Sequence, residues 1–206
     1  APERILELIR FERTAQALRL DPALRLRSAQ DFPATAGGPT GLHALEREYQ
    51  LPAREILAIV GERARLAMAV RGGVAEHHLG LLLADHPAVA AAEMGLQEGP
   101  PDYVVTLRDG RSTTIECKNA SPKPYADGAP KVEVQKTRTS KADPASRLYE
   151  PSAFDILAAC MYGPTGRWDF KFRRSADLRA HEDHPGRIAP LQRITDEWAS
   201  DLADVL

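Results

Sequence analysis

The chain has 206 residues, which fits one domain, or one domain with a helical extension, and is enough to bury a core. Apolar residues make up 43% and charged residues 27%, the balance of a soluble globular protein. Net charge is −2, so no global basic excess marks a nucleic-acid binder, and any basic groove must be local.

The two cysteines, Cys117 and Cys160, are far apart and form no CxxC or Cys/His pattern, which argues against a zinc site and a disulfide scaffold. Free thiols point to a reducing, cytoplasmic setting. No apolar run approaches the roughly 20 residues of a membrane span. The first thirteen residues are charged and amphipathic, unlike a signal peptide.

Residues 3–19 place Ile5, Leu8, Ile9, Ala15 and Leu18 at helical spacing. Residues 31–41, rich in Gly and Pro, read as a loop. A helical region follows from Leu42 to Arg71, notched at Pro52, with Ile56, Ile59, Val60, Leu66 and Val70 available for a buried face. Gly72-Gly73 is expected to break it, and Val74–Ala84 to resume as a helix. Tyr103–Leu107 and Ser112–Cys117 are β-rich, with a turn signal at Asp109-Gly110 between them. Residues 119–130 read as an irregular loop and Lys131–Thr139 as a third strand. Ser152–Tyr162 is expected to be a helix. Ser152 and Asp155 fit an S-x-x-D cap, and Phe154, Leu157, Ala158 and Met161 fall at i, i+3, i+4, i+7. Trp168–Arg173 alternates as a half-buried strand, and a last helix is expected over Leu191–Leu206. Two regions result: a helical one over residues 1–73 and an α/β one over 74–206 with a C-terminal helix.

Chemistry concentrates in two places, Pro101-Asp102 at the head of the first strand and Glu116-Cys117-Lys118 at the end of the second. Residues i and i+2 of a strand share a face, so Glu116 and Lys118 project together and Cys117 turns to the other side. A two-residue turn would pair Asp102 with Cys117, on the wrong face. A three-residue turn, Arg108–Gly110, pairs Asp102 with Glu116 on the same face, and it wants a left-handed residue where Gly110 stands. Taken singly, Asp102 reads as a strand-start residue and Glu116 and Lys118 as a solvated face. Together, two carboxylates suit a hard divalent cation, and an adjacent ammonium suits a phosphodiester and its attacking water.

Pro101-Asp102, thirteen intervening residues and Glu116-Cys117-Lys118 resemble the PD-(D/E)xK signature of restriction-endonuclease-like nucleases. The order of elements over about residues 74–173 is also similar, and the stretch from Lys136 to Met161 looks like type II restriction endonucleases. The resemblance implies an α/β core, a mixed central sheet flanked by helices. It implies Mg²⁺, for which Mn²⁺ substitutes, held by Asp102, Glu116 and an acidic residue of the preceding helix, Glu76. It implies a polar active-site residue on the next strand, Gln135, and a DNA-facing set of Lys136, Arg138, Lys141 and Arg147. The activity implied is hydrolysis of duplex DNA by a prokaryotic homodimer in a restriction-modification setting, leaving a 5′-phosphate, with residues 1–73 serving dimerisation or DNA recognition. A structure-specific repair or recombination nuclease and a catalytically silent DNA-binding module of the same fold are the alternatives. From Lys118 to Arg147 seven basic residues face three acidic ones, a local net of +4 in an acidic chain.

Overall fold

The computed structural model describes residues 43–95, 101–136 and 144–206, and the chain divides into two compact units, residues 1–57 and 58–206. The helix expected over 3–19 and the loop over 31–41 lie outside the described residues. In the first unit, helix α1 (Ala44–Tyr49) is capped by His43, whose ring accepts the N–H of Leu45 and whose own N–H is held by Glu46 at 2.8 Å. It ends at Gln50 in the left-handed region. Helix α2 (Ala53–Glu62) begins in this unit and carries no buried residue.

The second unit is a mixed α/β structure. Helix α3 (Ala64–Asp85) leads into β1 (Val89–Met94), β2 (Tyr103–Leu107) and β3 (Ser112–Asn119). Then come β4 (Lys131–Glu133), β5 (Ile156–Cys160), α4 (Tyr162–Thr165), β6 (Phe170–Arg174) and β7 (Leu191–Arg193). Five strands form one sheet in the order β1-β2-β3-β5-β6, in which β3 and β5 run parallel and the other neighbours antiparallel. Strands β4 and β7 form a separate antiparallel pair.

The sheet is packed on both faces. On one, Ala75, Leu79 and Leu83 of α3 meet Tyr103, Val105, Ile115, Cys117, Ala158 and Phe172. On the other, Leu157 and Ala159 lie under Val132, Val134, Tyr149, Phe154, Ile194 and Trp198. A strand covered on both faces loses the polar–apolar alternation of a half-exposed one.

That double burial explains the largest departure from expectation. Ser152–Tyr162 is not a helix. Pro151–Ala153 forms a single 3₁₀ turn, and Ile156–Cys160 is a central strand with all five residues buried. A short continuous apolar run matches the helical period by accident, and pairing with β3 and β6 decides it as a strand. Asp155 caps no helix. Its carboxylate takes the N–H of Thr114 at 2.7 Å and that residue's hydroxyl at 2.8 Å, tying β3 to the start of β5.

Other expectations need correction. Helix α3 runs unbroken through Gly72-Gly73, because neither glycine takes the positive φ that ends a helix. The break falls instead at Arg63, between α2 and α3. Val89–Met94, which is alanine-rich and showed no strand pattern, is an edge strand made by pairing with β2. The third expected strand is confined to Lys131–Glu133 and pairs with β7 outside the main sheet; residues 137–139 are outside the described residues. The C-terminal segment is β7 and a 3₁₀ turn at Leu202–Val205, not a helix. Trp168–Arg173 is a strand as expected, displaced to Phe170–Arg174. Among the described residues, no helix is long and apolar enough to cross a membrane.

Gly80 lets α3 approach the hairpin. A Cβ there would collide with the Tyr103 hydroxyl, which donates to the carbonyl oxygen of Glu76 at 3.0 Å. Ala normally stabilises a helix interior by about 1 kcal/mol relative to Gly. Gly80→Ala is expected to reverse that sign and destabilise by about 1–3 kcal/mol through overpacking. Thermal melts of Gly80→Ala and of Gly80→Ala/Tyr103→Phe check this, the second variant recovering part of the loss.

Candidate active site

The hairpin forms in the register that a three-residue turn requires. Tyr103 pairs with Ile115, Val104 with Thr114 and Thr106 with Ser112, so Asp102 comes opposite Glu116. Gly110 takes φ +87°, and its N–H donates to the carbonyl of Leu107. At the open end of the hairpin, the N–H of Cys117 donates to Asp102 Oδ2 at 2.8 Å. Alternation along β3 puts Cys117 among the α3 side of the core and Glu116 with Lys118 on the opposite face.

Glu116 is 2% exposed, an unusual burial for a carboxylate. Its Oε1 accepts from the Lys118 ammonium and from the Tyr149 hydroxyl, the latter at 2.7 Å. Its Oε2 is buried without a hydrogen-bond partner. An unmatched buried polar atom of this kind costs about 1–3 kcal/mol, more when charged, and calls for an explanation. Lys118 also donates to the carbonyl of Cys117 at 3.2 Å.

The electrostatics are those of crowded negative charge. Burial, and then the neighbouring Glu116 carboxylate, push the Asp102 carboxyl up to about 6, against the pull of Lys118 and of the Cys117 N–H. Burial alone would lower the Lys118 ammonium, but Glu116 and Asp102 more than offset it and hold Lys118 above the usual lysine range. Lys118 is therefore protonated at neutral pH in the metal-free protein. The Tyr149 phenol is pushed well up by burial and by Glu116, which keeps it a donor.

Two oxygen-bearing side chains, excess negative charge and an orphaned carboxylate oxygen are chemically compatible with a hard divalent cation, for which Asp102 and Glu116 Oε2 are the candidate ligands. Glu76 stands on α3 near enough for its charge to add to the upward push on Asp102. Among the described residues, however, no three His, Cys, Asp or Glu side chains gather into a metal-holding group, so Glu76 is a neighbour of the pair.

The remaining sequence candidates divide. Gln135 is half-buried on the segment leaving β4, and no bond ties it to the carboxylates. Lys136 is drawn in: its Nζ lies 5.6 Å from the centre of the Tyr149 ring, and its N–H donates to the carbonyl of Arg147 at 2.9 Å. Arg147 returns a longer bond of 3.4 Å to the Lys136 carbonyl. Arg138 and Lys141 lie outside the described residues. Tyr149, a buried residue outside the signature, donates to Glu116. Its only sequence signal is a polar-tipped aromatic beside basic residues, too common to single out.

No protein-family model matches the chain, and no curated protein matches it. Among solved structures it is similar to a bacterial homing endonuclease, I-Ssp6803I, with 14% sequence identity and a TM-score of 0.45 over 62% of this chain and 78% of that one.

Proposed function

We propose that this protein is a metal-dependent DNA endonuclease with a restriction-endonuclease-like core, hydrolysing phosphodiester bonds of duplex DNA at Asp102, Glu116 and Lys118. The observation that carries the reading is the orphaned Oε2 of Glu116, beside a second carboxylate held up to about 6 and a lysine held in its charged form. A group arranged this way is costly to the fold, and a cation with a phosphodiester beside it would relieve that cost.

Asp102 and Glu116 would hold Mg²⁺, with Mn²⁺ as a substitute; when bound, the ion supplies Lewis-acid polarisation of the phosphodiester. The protein's own groups do the rest. Cys117, through its N–H on Oδ2, fixes the Asp102 carboxylate. Lys118, held in its charged form by the two carboxylates in the metal-free protein, would supply positive charge and a donor hydrogen for the phosphate oxygens. Lys136 and Arg147, joined by one backbone bond and by the Arg147 Nε on the Lys136 carbonyl, would provide positive charge for the flanking phosphates. Cutting both strands of a duplex with one such site per chain calls for two copies, so a homodimer belongs to the proposal.

The test is incubation of the full chain with plasmid and genomic DNA. Cleavage is expected with Mg²⁺ or Mn²⁺ and lost with EDTA and in Glu116→Gln. Discrete fragments from plasmid indicate sequence-specific restriction; preferential cutting of branched DNA indicates a structure-specific enzyme. Intact DNA of every form with Mg²⁺ present would overturn the reading.

A further inference from the structure

We propose that Tyr149 is a positioning residue of this site, the group that fixes which oxygen of Glu116 is offered to the cation. The inference rests on the nuclease reading above and extends it to a residue outside the signature.

Tyr149 lies between the 3₁₀ turns Pro144–Arg147 and Pro151–Ala153 and is 3% exposed. Its ring meets the edge of Phe154 at 5.4 Å, and its carbonyl accepts the N–H of Ile188 at 2.9 Å. The hydroxyl is thus delivered to Glu116 from a segment anchored independently of β3. Lys118 reaches the same Oε1 from two residues along the strand.

The last torsion of a glutamate is broad and soft. Lysine, on its flexible four-carbon stem, is a poor pin by itself. Tyrosine has two torsions and, here, a packed ring. Two donors on Oε1 from different elements leave Oε2 as the oxygen aimed away from both, and Oε2 is the one with no partner. The same ring underlies two cations, with Lys118 Nζ at 5.8 Å and Lys136 Nζ at 5.6 Å from its centre. Tyr149 therefore links the carboxylate, the signature lysine and the first residue of the basic stretch that follows β4.

The plain alternative is a core tyrosine whose hydroxyl found a convenient acceptor. The two differ in what Tyr149→Phe does, since that change keeps the ring and its cations and removes only the hydroxyl. Mn²⁺ binding by calorimetry and steady-state cleavage would be measured for wild type, Tyr149→Phe and the packing control Leu83→Ala. For a residue that orients a ligand through a hydrogen bond, Tyr149→Phe is expected to weaken Mn²⁺ binding about tenfold or more. Its kcat should fall while KM for DNA stays within about twofold. Leu83→Ala, on the opposite face of the sheet, should lower Tm and leave Mn²⁺ affinity unchanged.

Wild-type Mn²⁺ affinity and kcat in Tyr149→Phe would overturn the proposal while leaving the nuclease reading intact. Wild type that neither binds Mn²⁺ nor cuts DNA would overturn both. Should Tyr149→Phe fail to fold, 3-fluorotyrosine at position 149 keeps the hydroxyl. Its ¹⁹F resonance is expected to move on Mg²⁺ titration, and an unmoved resonance would overturn the proposal.

Discussion

Lys118→Met is expected to abolish DNA cleavage, by a factor on the order of 10³ or more, without weakening cation binding. The reasoning starts from its pairing. Lys118 donates to Oε1 of a glutamate that is 2% exposed. Removing one partner of a buried pair leaves the other uncompensated, at a cost of about 3–5 kcal/mol. Methionine keeps most of the volume and none of the charge, so the variant should melt lower in EDTA. The lost ammonium also stops competing for Glu116, and divalent cation should restore more stability to Lys118→Met than to wild type. The double variant Glu116→Gln/Lys118→Met removes both charges, and it should recover the melting temperature and remain inactive. Single-turnover cleavage, Mn²⁺ calorimetry and melts with and without Mg²⁺ separate these effects. Cleavage by Lys118→Met within tenfold of wild type would show that the ammonium takes no part in the chemistry.

The sequence made this site readable where its geometry is local. Glu116 and Lys118 share a face because of strand period alone, and the register that brings in Asp102 follows from Gly110 closing a three-residue turn. The errors arise where neighbours far along the chain decide the outcome. Residues 156–160 are apolar on every position because β3 and β6 flank them and both faces are covered, so no period distinguishes strand from helix. Strand β1 is alanine-rich and owes its conformation to β2. Tyr149 reaches Glu116 across 33 residues, and Lys136 reaches Tyr149 through space, relations that no local spacing encodes. Local spacing thus brings Asp102, Glu116 and Lys118 together, while the groups that contact them belong to the tertiary structure.

Asp102→Asn is expected to stabilise the metal-free protein while destroying its activity, and the stabilisation should depend on pH. In an unfolded chain the Asp102 carboxyl loses its proton near its ordinary value of 3.8; in the folded protein burial and Glu116 hold it to about 6. Between those values the folded state binds a proton that the unfolded state does not, so stability falls as pH rises through this window. Below about 4 both states are protonated and Asp102 carries no penalty. Above 6 the penalty is complete. Roughly two pH units at about 1.4 kcal/mol each set an upper bound of about 3 kcal/mol. Asparagine keeps an oxygen for the Cys117 N–H and removes the charge. Melting curves of wild type and Asp102→Asn in EDTA should therefore converge near pH 3 and separate by pH 8, with the variant the more stable. Mg²⁺ should close the gap by raising the melting temperature of wild type only, because the charge that burial penalises is the charge a cation binds. Parallel curves at both pH values would mean that Asp102 ionises without strain, and would remove the main electrostatic reason for placing a cation between it and Glu116.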